Sequence, residues 1–214
     1  MTAMTEHSSQ LLGGALDVSR ETMQKLSSFE RIFDQWSRKI NLVAASTTNQ
    51  VWERHIADSA QLMLLKPEMK TVVDLGSGGG FPGIVLAILL DQLEGSRVDL
   101  VESNRKKTAF LQAVRANCAR RAHVHAKRIE DALPTIATPE YVTARALASL
   151  SKLFELAELH LTDGAVGLFH KGRGFNLELE ESRANWQFDL ITHQSEIDAD
   201  SVILEIRNLR RISN

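Results

Sequence analysis

The chain has 214 residues, a formal net charge of −2, an apolar fraction of 43% and a charged fraction of 24%, values of a soluble α/β domain with a sizeable core, or of two small ones. No apolar run approaches the roughly 18 residues needed to span a bilayer, and the first residues lack the charged and apolar regions of a secretory signal. Cys118 is the single cysteine, which excludes an intrachain disulfide and leads us to expect a cytosolic, non-membrane protein.

The first forty residues read as helical, because Leu26, Phe29, Ile32, Phe33, Trp36 and Ile40 recur at three- and four-residue steps and line one face. That face is expected to cap a sheet. Residues 41–49 then favour turns and helix caps. A second helix is expected over 51–64, where helical spacing pairs Arg54 with Asp58 and His55 with Ser59. Read from residues alone, this is a surface ion pair with a histidine beside it.

From residue 71 the pattern alternates between strand and helix. Strand 71–75, helix 83–90, strand 97–102, helix 105–120 and strand 122–126 make one right-handed βαβ half of a parallel sheet. A looser half follows: strand 141–143, helix 151–160, strand 165–170, helix 176–184, and an antiparallel pair at 188–193 and 202–206. No internal repeat and no linker divides the chain.

The loop 76–83 holds five glycines and Pro82, which is placed in the first turn of the following helix. A strand, a glycine loop and a helix start make a nucleotide-type crevice. Counted from the strand end, Phe81 stands where a dinucleotide fingerprint wants its third glycine. Counted from Gly78, the loop does satisfy G-x-G-x-x-G, but in a register displaced from the strand. Asp74 is more telling, since a carboxylate there repels a pyrophosphate and suits a ligand with an ammonium or sulfonium cation. S-adenosylmethionine carries both. Glu102 ends the second strand, where a carboxylate accepts two ribose hydroxyls.

Charge is polarised along the chain. Arg97, Arg105, Lys106, Lys107, Arg115, Arg120, Arg121, Lys127 and Arg128 stand against Asp99 and Glu102, while 178–200 is acidic. Such a distribution steers a polyanion to one face, although any one of these charges is equally well a solvated helix face. His123 and His125 alternate on a predicted strand, yet nothing completes a metal ligand set.

Asp74-Leu-Gly-Ser-Gly-Gly-Gly-Phe-Pro-Gly83 resembles the glycine motif of class I S-adenosylmethionine-dependent methyltransferases. Together with Asn41-Leu-Val, Arg54-His-Ile-Ala-Asp-Ser59, the segment 101–111, Arg145-Ala and Lys171-Gly-Arg-Gly174, it resembles the RsmG (GidB) family, which methylates N7 of a guanine in small-subunit 16S ribosomal RNA. The resemblance implies an α/β, Rossmann-like fold, a mostly parallel seven-stranded sheet with helices on both faces. It also implies an N-terminal helical extension over 1–66 on a methyltransferase core over 67–214. By resemblance, Asp74, Gly76, Gly78, Phe81, Glu102, Ile129, Glu130 and Arg145 would hold S-adenosylmethionine, released as S-adenosylhomocysteine. Asn41, His55, Asp58, Ser59, Lys171 and Arg173 would meet the 16S RNA or the small ribosomal subunit, with Arg207, Arg210 and Arg211 extending the grip. Arg145 would position the reactants, no general base would be needed, and the chain would act as a cytoplasmic monomer. Two alternatives stay open: a nicotinamide-dependent oxidoreductase, which the displaced register and Glu102 favour but Asp74 and the lack of Tyr-x-x-x-Lys do not, and a noncatalytic ribosome-assembly factor.

Overall fold

The computed structural model describes Leu16 and residues 18–43 and 50–212; most of the turn segment expected over 41–49 lies outside them. Helix α1 is Arg20–Ser37, opened by Ser19, whose hydroxyl accepts from the Thr22 amide at 3.1 Å. Its apolar face buries Leu26, Phe29 and Phe33. The chain then enters a π-helical segment, Trp52–Ala57, continued by α2, Asp58–Leu65.

Seven strands follow: β1 Thr71–Leu75, β2 Arg97–Val101, β3 Ala122–His125, β4 Tyr141–Arg145, β5 Val166–Lys171, β6 Trp186–Gln194 and β7 Val202–Arg211. Between them lie α3 Gly83–Leu89, α4 Arg105–Cys118, α5 Ile129–Ala132, α6 Leu150–Thr162 and α7 Phe175–Arg183. The sheet order is β3-β2-β1-β4-β5-β7-β6. Strands β1 to β5 pair in parallel, and β7 runs antiparallel to both β5 and β6.

Alternate residues of each strand point to opposite faces, and two cores result. Val72, Val98, Leu100, Leu168 and Ile203 face α1 to α4. Val73, Leu75, Val101, Phe169 and Leu204 face α5, α6 and α7. Helix α3, Gly-Ile-Val-Leu-Ala-Ile-Leu, is apolar all round because it lies between the sheet and α1 and α2. Phe29 and Phe33 approach Phe81 at centroid distances of 5.3 and 5.5 Å and also meet Phe110 of α4. The helical cap is thereby joined to the glycine loop through one aromatic cluster.

Sequence patterning misses at element ends. Strand β4 runs on to Arg145, which pairs with His170 of β5, and β7 continues to Arg211 opposite Trp186 of β6. Ladder partners extend these strands into polar residues that carry no strand pattern of their own.

Candidate active site

Strand β1 ends at Leu75, and the chain turns through Gly76, Gly78 and Gly80 at φ of +65°, +48° and +88°. The Ser77 amide bonds the Val101 carbonyl at 3.1 Å, laying the loop across the end of β2. Pro82 caps α3 rather than occupying its first turn. Gly83 opens α3 against β1: a Cβ there would lie 2.6 Å from Asp74 Oδ2 and would also strike Leu100. The displaced glycine register thus ends on the residue that lets helix and sheet pack closely, a role that dinucleotide folds share.

Asp74 is fully buried. Its Oδ1 accepts from Thr143 Oγ1 at 2.9 Å and its Oδ2 from the Gly83 amide at 3.3 Å, so the carboxylate ties β1 to β4 and to the start of α3. Burial pushes its pKa up to about 6, against the hydrogen bonds that favour the ionised form. Glu102 accepts from the Gly78 amide at 3.1 Å and from the Asn104 amide at 2.7 Å. Its partners are therefore backbone groups rather than Arg105 or Lys106, and its remaining lone pairs stay free for hydroxyl donors. The Cβ direction of Gly78 points toward Lys107 Nζ, 3.8 Å away. That lysine over the loop was not legible from spacing.

Gly76 faces the segment after β4, where a Cβ would sit 2.6 Å from Leu147 Cδ1. Ala146, between Arg145 and Leu147, adopts φ +51°, a conformation rare for a residue with a Cβ. Leu147 also lines a cavity of about 360 Å³ at the carboxyl ends of β4 and β5, together with His55, Asp58, Arg145, His170 and Lys171. The glycine crevice and this cavity share one wall.

Arg145 organises that cavity. Its Nε lies 3.0 Å from Asp58 Oδ2, its Nη1 donates to His55 Nδ1 at 2.6 Å, and its Nη2 donates to the Arg54 carbonyl at 2.8 Å. The π-helical segment breaks the expected spacing: Asp58 pairs with Arg145, not Arg54, and Arg54 turns to Asp198 at 3.9 Å. Ser59 donates to the His55 carbonyl at 2.6 Å and is fully buried. Burial, with help from Arg145 and Arg54, lowers the His55 pKa to about 4. His55 also stacks on Phe81 at 4.9 Å.

Other predicted residues are placed differently from one another. Lys171 is buried, with Nζ donating to the Ala148 carbonyl at 2.7 Å and to Glu178 at 2.6 Å, whereas Arg173 is 80% exposed and paired with Asp200. They form no joint surface grip. Arg207 is held by Glu205 and Arg211 by Glu158, with the Arg211 guanidinium 4.3 Å from the Trp186 ring. Asn41 is exposed, and the Leu42 carbonyl beside it lies 3.0 Å from the Cβ position of Gly79, so this segment lies over the loop. Ile129 is half-buried against the second core and Glu130 is exposed in the first turn of α5. His125 bonds Asp99 at 2.6 Å, and among the described residues no cluster suits a metal ion. Nor is any described helix long and apolar enough to cross a membrane. His170, in the cavity wall just ahead of the Lys171-Gly-Arg-Gly174 motif, was missed by sequence reasoning; its adjacency to that motif was the available signal.

The strand order, the glycine turn after β1 and the acidic residue after β2 define a class I S-adenosylmethionine-dependent methyltransferase. The fold is shared with an O-methyltransferase from Bacillus cereus in complex with SAH, at a TM-score of 0.57 and 15% identity over 96% of this chain and 97% of that one. It is shared likewise with a methyltransferase from Geobacter sulfurreducens, at 0.57 and 14% over 95% and 96%. In sequence the chain is 55% identical over 194 residues to the ribosomal RNA small subunit methyltransferase G of Brucella anthropi, covering 91% of each. It is 52% identical over 209 residues to that of a Chelativorans species, covering 98% of this chain and all of the relative. The GidB family, rRNA small subunit methyltransferase G, matches residues 22–202, and the chain belongs to it.

Proposed function

We propose that the chain transfers the methyl group of S-adenosylmethionine to N7 of a guanine in 16S ribosomal RNA, free or in the small subunit, acting in the cytoplasm as a monomer. One observation carries this reading: Leu147 is both the neighbour of Gly76 and a wall of the polar cavity, so a cofactor on the glycine loop and a base in the cavity would meet there. The cofactor, when bound, supplies a methyl on a sulfonium, and guanine N7 supplies an in-plane lone pair with no proton to remove. In-line transfer then needs no general base, and the chain's contribution is placement.

Gly76 and Gly78 give close backbone approach, Glu102 offers lone pairs to ribose hydroxyls, and Asp74 places a carboxylate behind the loop. Phe81 backs the loop, while Ile129 and Glu130 line the adenine side. Arg145 acts as a positioning residue, because its nitrogens hold His55, Asp58 and the Arg54 carbonyl over the cavity. Ser59 buttresses that segment, and Asn41, Lys171 and Arg173 flank the route of the RNA. Exposed Arg105 and Lys106 start α4 beside the crevice, where they attract the phosphate backbone.

Incubation of the protein with S-adenosylmethionine and small subunits from cells lacking the gene, followed by nucleoside mass spectrometry, should yield one added 7-methylguanosine. Methylation at another atom, or none, refutes the reading.

A further inference from the structure

Two buried histidines line the cavity, and each has one ring nitrogen without a hydrogen-bond partner among the described residues: His55 Nε2 and His170 Nδ1. His160, which carries the other unpartnered nitrogens, lies on α6 outside the cavity wall. A buried polar group left unpaired loses its hydration without compensation, a loss that a water or a ligand atom would make good.

The partners of the opposite nitrogens fix which is donor and which acceptor. A guanidinium only donates, so the 2.6 Å contact from Arg145 Nη1 makes His55 Nδ1 an acceptor and puts the proton on Nε2. A carbonyl only accepts, so the 3.1 Å contact to the Asp58 oxygen makes His170 Nε2 the donor. Burial lowers the pKa of His170, as it does that of His55, so both rings are neutral and His170 Nδ1 is a bare acceptor. Asp58 serves both rings, through its carboxylate to Arg145 and its carbonyl to His170. The cavity wall therefore holds one fixed donor and one fixed acceptor, each shielded from solvent.

We propose that His55 and His170 are specificity-determining residues that read the lactam edge of the acceptor guanine, His55 Nε2–H donating to O6 and His170 Nδ1 accepting from N1–H. The proposal rests on the guanine-N7 reading above and names what selects the base. Adenine presents the reverse pattern, a 6-amino donor and an N1 acceptor, so both contacts would be mismatched. Reading O6 and N1 leaves N7 unmasked for the methyl group. Neither contact uses the 2-amino group.

The test uses wild-type protein and small-subunit RNA carrying guanine, inosine, 2-aminopurine or adenine at the methylated position. Inosine keeps O6 and N1–H and should be methylated within about threefold of guanine, whereas 2-aminopurine and adenine should fall by about a hundredfold. Inosine falling with 2-aminopurine, or four equal rates, would overturn the pairing. His170→Phe should bring the guanine to 2-aminopurine ratio toward one with unchanged S-adenosylmethionine affinity by calorimetry, and His170→Gln, which keeps an acceptor, should retain the ratio. Equal loss on every base in His170→Phe would show a merely structural role and sink the assignment. If wild-type protein fails to make 7-methylguanosine on the guanine RNA, the acceptor reading and this pairing fall together; a wrong analogue order with normal 7-methylguanosine removes the pairing alone.

Discussion

Arg145 Nε and Asp58 Oδ2 stand 3.0 Å apart, joining the last residue of β4 to the first of α2. Both are largely buried, so neither charge can be lost alone without stranding the other. Asp58→Ala should lower the unfolding free energy by about 3 kcal/mol, read by urea denaturation. Arg145→Lys should also impair methylation, because an ammonium cannot reproduce three directed contacts from one plane. Full activity in the lysine variant would count against the positioning role.

Gly83→Ala tests the approach of α3 to β1. The added methyl meets Asp74 Oδ2 at 2.6 Å and Asp74 Cβ at 2.9 Å, inside a packed core. We expect destabilisation of about 1–3 kcal/mol and S-adenosylmethionine affinity reduced at least tenfold, about 1.4 kcal/mol. Calorimetry and thermal melting measure the two effects separately.

Asp74 makes cofactor binding sensitive to pH. Its pKa, raised by burial to about 6, leaves it ionised at neutral pH and protonated in mild acid. Affinity for the cationic cofactor should therefore fall as pH drops through 6. The stability linkage has the opposite sign: the folded state holds this proton more tightly than the unfolded one, so its contribution is full below the ordinary value of 3.8 and lost as pH rises through about 6. Asp74→Asn, whose amide can still satisfy Thr143 and Gly83, should bind the cofactor about tenfold more weakly, with that step in pH removed. A pH-dependent variant would show that another group titrates.

Glu205 should govern acid stability. Burial alone would raise its pKa, but bonds from Lys66, His193 and Arg207 hold it down at about 2. Its stabilisation is present above the ordinary value of 4.5 and is lost as pH falls toward 2. Glu205→Gln should cost about 3 kcal/mol at neutral pH, with the difference from wild type shrinking across that acid window. Denaturation curves at pH 7, 4 and 2.5 would check it, and a constant difference would refute it.

The sequence by itself determined the sheet halves, the glycine crevice and the family. Those signals are local: β-branched runs, a glycine cluster after one of them, Asp74 before it and Glu102 at the next strand end. Even the antiparallel close was legible, because β6 and β7 each carry their own strand pattern.

Tertiary structure decided what the polar residues do. Arg54 and Asp58 read as a helical pair, yet the π-helical segment and the fold bring Arg145 to Asp58 from 87 positions along the chain (145 − 58 = 87). Lys171 read as a phosphate grip, but Glu178 and the Ala148 carbonyl hold it inside. His170 showed only its place beside the Lys171 motif until Asp58 fixed its tautomer and the fold left Nδ1 unpaired. Hydrophobic periodicity is written in neighbouring residues, whereas a buried polar group is defined by the partners that satisfy it, and those arrive from distant strands.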